Sequence, residues 1–545
     1  MLADLVLTNG RIYTVEARQP WATAVAIAQG RILAVGDDAA MKALLAPGGE
    51  WIDLQGRGVT PGLVDAHVHF QWYSLSLRHI DLFEVPTLAE AVRRVAAGAE
   101  RVQPGDWLRG RGWTQELWAD RRFPTAADLD RVTGDKPAIF NHKSGHAAWV
   151  NSRALQIAGI TSHTPDPPGG HIQRDDTGYP TGILFEDAME LVARCVPPPT
   201  AAEVADAMRQ AQTNCWRAGL VGLHDFDGAV CFQALQMLRQ SRQLGLRIVK
   251  NIPARYVEQA AAVGLRSGFG DEWLRVGGVK IFADGALGPR TALMVAPYVG
   301  EPDNRGIAVT DKEEMLQIAS QASAAGLSVT VHAIGDRANH DVLDVYEAVR
   351  RQEAERLAGA NAVERDLSSP QPLRHRIEHV QLLHPADERR LAQLGVIASM
   401  QPTHATSDME MADRYWGERA QYSYAWRTLL NTGATLVFGS DCPIEPIEPL
   451  LGIYAAVTRR RPDGSHAPDG WFPAQKLTMA ETIHAFTWAA AYTSGQENET
   501  GSIASGKQAD LTIYDRDLFQ VTGAELLDVK IAGTVIAGNF KHRTF

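Results

Sequence analysis

Five stretches of the sequence close on residues able to take part in a metal site. PGLVDAHVHF carries His67 and His69, LRVGGVKIFADG carries Lys280, LSVTVHAIGD carries His332, LRHRIEHVQ carries His379 and ATLVFGSDCP carries Asp441. Each sits at the end of a β-like run. Side chains two apart on a strand share a face, so His67 and His69 can reach one ion from the end of theirs. Neutral imidazole and carboxylate suit zinc and related divalent ions, and Asp441 can both bind an ion and take a proton from water. Lysine is the odd member, because an ammonium is an unsuitable ligand and two nearby cations would drive it toward its neutral form. Reaction of that amine with carbon dioxide would give a carbamate on Lys280, converting a cation into a bridging anion. The alternative is an ion pair of Lys280 with Asp284 or with a substrate carboxylate.

Something must hold these strand ends together. Between the two ends of the chain the pattern is strand followed by helix, repeated, with candidate strands VTPGLVDAHVH, GLVGLHDF, LRIVKNI, LRVGGVKIFAD, LSVTVHA, LRHRIEHV, GVIASMQP and ATLVFGSD. Segments between them, such as residues 312 to 325, have helical spacing. Eight such units point to an α/β fold, a (β/α)8 TIM barrel, whose reactive groups lie at the carboxyl ends of its strands. The five runs that carry candidate ligands are then strands one, four, five, six and eight. The barrel is expected over residues 58–500. From strand one to strand two, about residues 72–218, the gap is too long for a simple crossover and predicts an inserted subdomain. Its aromatic residues Trp113, Trp118, Phe123 and Trp149 either build a lid or pocket wall or form the insertion's own core. Residues 351–372 read as the end of a charged helix and a surface loop.

Both ends of the chain alternate and turn like antiparallel sheet, with Asn9-Gly10 and Gln29-Gly30 as turns near the start and GSIASGKQADLTIYDRD and VKIAGTVIAGN near the end. Neither end offers enough strands to bury a face alone. Residues 1–57 and 501–545 are therefore expected to form one small β-sandwich domain.

With 545 residues, 53 basic and 64 acidic side chains and a net charge of −11, the chain has room for a sizeable core and no basic block to follow a phosphate backbone. Nucleic acid is not an expected partner. No apolar run approaches the length of a membrane helix, the first residues do not read as a signal peptide, and the four cysteines show no CxxC spacing. These features predict a cytoplasmic protein with no membrane partner, and its size makes a homodimer the default expectation.

The residues as a set resemble the amidohydrolase superfamily, and within it amidohydrolase family 3, the branch that includes N-substituted formamide deformylase. The resemblance runs through PGLVDAHVH, SGHAAWVNSRAL, VKIFADGALG, VHAIGDRA, RIEHVQ, MQPTHATSD, FGSDCPIEP and GSIASGKQADL, nearly the whole chain. It implies two divalent metal ions, with zinc the first expectation. His67 and His69 would hold one ion with Asp441, His332 and His379 would hold the other, and carboxylated Lys280 would bridge them. It further implies that a metal-activated hydroxide hydrolyses a non-peptide C–N bond of a small-molecule substrate, an N-substituted amide or formamide, with Asp441 as the proton carrier. A cyclic amide, a carbamate or an ester is the alternative substrate on the same site. A catalytically idle barrel acting as a binding or regulatory protein is the alternative of another class. His146 in the insertion, His404 after strand seven and Trp113 are the candidate substrate contacts. His142, His224 and His375 read as structural, and Asp336, Arg376 and Glu378 as groups that orient ligands.

Overall fold

Runs rich in Val, Ile and Leu become buried parallel strands when both faces are covered, and the eight barrel strands here are mostly of that kind, the polar RIEH of the sixth being an exception. They are β1 (Leu63–Val68), β2 (Leu220–Asp225), β3 (Arg247–Pro253), β4 (Leu274–Phe282), β5 (Val329–Ala333), β6 (Arg376–His379), β7 (Ile397–Met400) and β8 (Leu436–Phe438). The computed structural model describes residues 1–103, 105–143, 147–359 and 373–545. Each strand pairs in parallel with the next in chain order, so the sheet winds into a nearly closed (β/α)8 barrel. Its last seam, between β8 and β1, closes at the carboxyl ends: the Asp441 N–H donates to the His67 carbonyl at 2.7 Å, and the His69 N–H donates to the Cys442 carbonyl at 2.8 Å. Gly439 permits this approach, since a Cβ there would lie 2.4 Å from the His67 nitrogen. Metal-ligand candidates from the first and last strands thus meet at the seam.

Among the helices around the barrel are α1 (Lys312–Ala324), α2 (Asp336–Gly359) and α3 (Pro402–Trp416). The side chain of Asp311 caps α1 by accepting from the Glu314 N–H. Residues 360–372, expected as a surface loop, lie outside the described residues. Among the described residues no helix is long and apolar enough to cross a membrane.

The two ends of the chain share a core. One sheet of four strands takes Ala3–Thr8, Ala24–Ala28, Arg31–Gly36 and Leu45–Asp53, and a second of six brings Gly58–Pro61 against Leu511–Tyr514, with Thr60 facing Thr512. Leu5, Ile27, Ile52, Leu511, Ile513 and Val535 pack together in their common core. One expectation needs correction here: VTPGLVDAHVH is two strands rather than one. The chain leaves the terminal sheet at Pro61 and enters the barrel at Leu63. Gly62 makes the step, donating its N–H to the Asp510 carbonyl at 2.8 Å where any Cβ would lie 2.4 Å from a Val221 methyl.

By contact the chain divides into two units, Met1–Trp72 with Met208–Phe545, and Tyr73–Ala207. The second unit has its own six-stranded mixed sheet, running in order Gly170–Arg174, Pro180–Glu186, Ala147–Val150, Ala138–His142, Leu108–Trp113 and Ile80–Asp81. Trp113, Trp118, Trp149 and Phe140 lie together in its core. Each indole there also finds an acceptor, as buried indoles usually do: Trp113 donates to the Phe140 carbonyl at 2.7 Å, Trp118 to Val85 at 3.2 Å and Trp149 to Thr125 at 2.8 Å.

Candidate metal centre

At the carboxyl ends of the barrel strands the imidazoles gather. His67 and His379 have ring centroids 5.0 Å apart, His332 and His379 4.7 Å, and His67 and His69 5.9 Å. Asp441 faces them, with Oδ1 3.6 Å from His67 Nε2 and 3.4 Å from His69 Nε2. His67, His379 and Asp441 each place one ligand atom within 4.8 Å of the others. That trio takes a member from each of the two sets the resemblance implied. His379 and Asp441 also hold left-handed backbone, φ 74° and 61°, which non-glycine residues seldom adopt outside functional sites.

Ring hydrogen bonds decide what these histidines can do. His67 donates from Nδ1 to Glu378 at 2.6 Å, His69 from Nδ1 to Asp227 at 3.2 Å, His379 from Nδ1 to the Gln401 amide oxygen at 2.7 Å, and His332 from Nε2 to the Gly285 carbonyl at 2.9 Å. An imidazole that donates from one nitrogen keeps its lone pair on the other, the arrangement metal-ligating histidines require. His67, His69 and His379 therefore offer Nε2 and His332 offers Nδ1. Burial pulls His67 down to about 4 and His332 to about 3, and takes His379 well below its ordinary value, so all three are neutral at pH 7. Burial acts the opposite way on Asp441 and would raise it, but attraction to His67, the hydrogen bond from His69 and attraction to His379, as these rings gain charge in acid, outweigh it and hold the carboxylate well below its usual range. The donor set fits a divalent ion.

His69 differs. Burial disfavours its cation, yet Asp227 and Asp441 prevail and push its pKa up to about 9. At neutral pH the metal-free protein keeps a proton where a ligand lone pair is needed, so ion and proton compete. Zinc binding at about pH 7 is expected to release at least one proton and to tighten as pH rises toward 9. Calorimetric titrations in buffers of different ionisation enthalpy measure this, and an affinity that is flat with pH and without proton release would contradict the assignment.

Lys280, buried on β4, has no ion pair with Asp284. The Asp284 oxygens accept from the backbone N–H groups of Leu293, Ile334 and Gly335. The ammonium instead lies 4.8 Å from the ring centroids of both Phe226 and Phe282, and burial draws its pKa down to about 8. His404 also faces the cluster, with Nε2 3.7 Å from Asp441 Oδ2 and its ring 5.9 Å from that of His379.

Other candidates fall elsewhere. Trp113 is fully buried in the core of the second unit with its N–H spent on Phe140, so it has no face left for a substrate and the expectation is corrected. His146 lies outside the described residues. Asp336 accepts from the Val295 N–H and so fixes a loop, where a ligand-orienting role was expected. Arg376 and Glu378 do hold a candidate ligand in place: Arg376 grips both Glu378 oxygens at 2.7 and 2.8 Å, and Glu378 accepts from His67. His224 sits against Arg376 at 3.0 Å, and His375 spans the Val329 N–H and Glu353.

Three supporting residues went unnoticed in the sequence. Asp227 takes the His69 N–H and the Gln71 N–H at 2.6 Å, clamping the loop after β1. Beside it, Asp225 is paired to buried Lys250 at 2.7 Å and accepts from the Phe70 N–H at 2.9 Å. Gln401 fixes His379. The carboxylates of GLHDFDG at a strand end were the available signal. Asp225, Asp227 and Cys231 also lie close enough to resemble an ion site, but the Lys250 ammonium supplies the cation there.

Comparison with known proteins agrees with this architecture. The model of a family described as "Amidohydrolase family" matches residues 50–541. The chain is 35% identical over 527 residues to Protein LONG AFTER FAR-RED 3 of Arabidopsis thaliana, covering 94% of this chain and 87% of that one. It is 29% identical over 559 residues to N-substituted formamide deformylase of Arthrobacter pascens, covering 99% and 98%. Among solved structures, an uncharacterized metal-dependent hydrolase from Pyrococcus horikoshii OT3 superposes with a TM-score of 0.78 at 28% identity, over 95% of this chain and 98% of that one. A match across nine-tenths of the residues, on a barrel with its ligand candidates at the carboxyl ends, places the chain by descent: it belongs to the amidohydrolase family.

Proposed function

We propose that this amidohydrolase is metal-dependent and hydrolyses a carbon–nitrogen bond, other than a peptide bond, in a small N-substituted amide or formamide. The observation that carries the reading is the cluster of four imidazoles at Asp441, each with one nitrogen held by an acceptor; the other nitrogen is left for a ligand in His67, His332 and His379, and in His69 once its proton is displaced. Divalent ions held by His67, His69, His332, His379 and Asp441, zinc being the first candidate, would supply Lewis acidity and lower the pKa of water toward neutrality.

The chain's own groups account for the rest. Asp441, whose carboxylate oxygens face His67, His69 and His404, is placed to take a proton from the attacking water and return it to the departing nitrogen. Lys280 is close enough to its pKa to offer a neutral amine. Addition of that amine to carbon dioxide releases a proton and leaves a carbamate, which would serve as an anionic donor between two ions. Trp72 is 45% exposed with its ring 6.0 Å from His69, and Phe282 is 46% exposed with its ring 5.3 Å from His332. These apolar surfaces beside the ligands suit an apolar substituent on the substrate.

The test is amine release from a panel of N-substituted formamides and N-acyl amides, with and without chelator. Chelator-sensitive turnover of at least one class is expected, and turnover indifferent to metal removal would overturn the reading. Lys280→Ala is expected to lose both metal and turnover, with partial return of both on adding a short carboxylic acid. Full metal content in that variant would reject the bridging role.

A further inference from the structure

After β7 the chain turns into α3 at Gln401, and this turn has features that the metal ligands do not use. Pro402, the first helical residue, has no N–H, and the Gln401 side chain does not cap the helix. Three side chains of the turn are almost wholly buried, Gln401 at 1% exposure, Thr403 at 8% and His404 at 9%. Among the described residues each has a polar atom with no hydrogen-bond partner: the Gln401 amide nitrogen, the Thr403 hydroxyl and His404 Nε2. Buried polar atoms are seldom left so. The Gln401 oxygen is fixed by the His379 N–H, which makes the amide NH2 its free end. His404 Nε2 lies 3.7 Å from Asp441 Oδ2, and its ring runs within 17° of parallel to that of His379, so the turn borders the ligand cluster. Two acids face His404 there: Asp441, which also serves His67 and His69, and Glu445, close enough for His404 to favour its charged form.

Unused donors at the positive end of a 15-residue helix suit a small anion with more than one acceptor oxygen. Hydrolysis of R–CO–NH–R′ by water breaks the C–N bond, forms a C–O bond to the acyl carbon and passes the acid proton to the amine, giving RCOO⁻ and R′NH3⁺. A carboxylate would thus be generated at the cluster that this turn meets through Gln401 at His379 and His404 at Asp441. We propose that Gln401, Thr403 and His404 form a carboxylate subsite that receives the acyl product and binds small monocarboxylates such as formate and acetate. The proposal rests on the hydrolytic reading above.

Formate and acetate binding to the purified protein, followed by saturation-transfer NMR, tests it. Thr403→Val and His404→Phe are each expected to weaken both probes by about tenfold, the loss of roughly one hydrogen bond to a charged group. Thr403→Ser should retain the affinity. Metal content by plasma mass spectrometry and far-ultraviolet circular dichroism should stay at wild-type values. Unchanged affinity in both folded variants overturns the subsite. So does a wild-type protein that hydrolyses amides and binds neither probe, which leaves the hydrolase reading standing. Carboxylate binding that these variants weaken, in a protein that hydrolyses no member of the panel, supports the subsite and rejects the hydrolytic reading.

Discussion

Asp441→Ala is expected to lower kcat/KM by about 10²- to 10⁴-fold from the loss of proton transfer alone, with any loss of metal adding to it. The size follows from how much converges on one side chain. Asp441 Oδ1 faces both His67 and His69, and Oδ2 faces His404. Its backbone N–H closes the barrel seam on the His67 carbonyl. Because that seam contact is made by the main chain, the alanine variant should keep its fold while losing its chemistry. The left-handed backbone at this position, φ 61°, must also be held by its surroundings. Asp441→Asn, which keeps the shape and can still ligate through oxygen, should retain more metal than alanine does and little turnover. Steady-state amine release, with metal content measured on the same samples, separates the two losses. Wild-type turnover in either variant would remove Asp441 from the mechanism.

Glu378→Gln is expected to destabilise the barrel by about 3–5 kcal/mol, the usual cost of breaking one side of a fully buried ion pair. Glu378 and Arg376 are buried side by side, and Arg376 donates further to the Ala66 carbonyl at 2.8 Å and Ser399 at 2.6 Å. Neutralising Glu378 strands that guanidinium without a counterion. The same change weakens the acceptor for His67 Nδ1, so metal affinity should fall by about 10- to 100-fold. A paired Arg376→Met, Glu378→Leu variant separates these effects: it should regain much of the stability and none of the metal affinity. Urea denaturation read by tryptophan fluorescence measures the first effect, with the two units of the chain free to unfold at different midpoints. An unchanged midpoint in Glu378→Gln would contradict the account of this pair.

The barrel was legible because its strands carry their own signal. All eight candidate runs contain an observed strand, and each residue expected as a ligand sits on one or within three residues of its end. Types and local spacing were enough for that. What they could not convey was which strand end faces which. His67 and His69 are two residues apart and were grouped first, yet barrel curvature brings His379 closer to His67 than His69 is. Asp227 and Gln401 were missed for the same reason, since their role depends on β2 lying beside β1 and β7 beside β6. The break at Gly62 was hidden because the apolar run is continuous there and only the partner sheet changes. Trp113 was ambiguous by nature: an aromatic in an insertion lines a pocket or fills a core, and its burial decides for the core.

Elemental analysis by plasma mass spectrometry, on protein purified without chelator, tests the metal centre most directly. It should be run on the wild type and on His67→Ala and His379→Ala side by side. The account predicts about two divalent ions per chain in the wild type, reduced in both variants, with amine release lost in parallel and circular dichroism unchanged. A wild-type protein that holds no metal and takes up neither zinc nor manganese when they are added would contradict it.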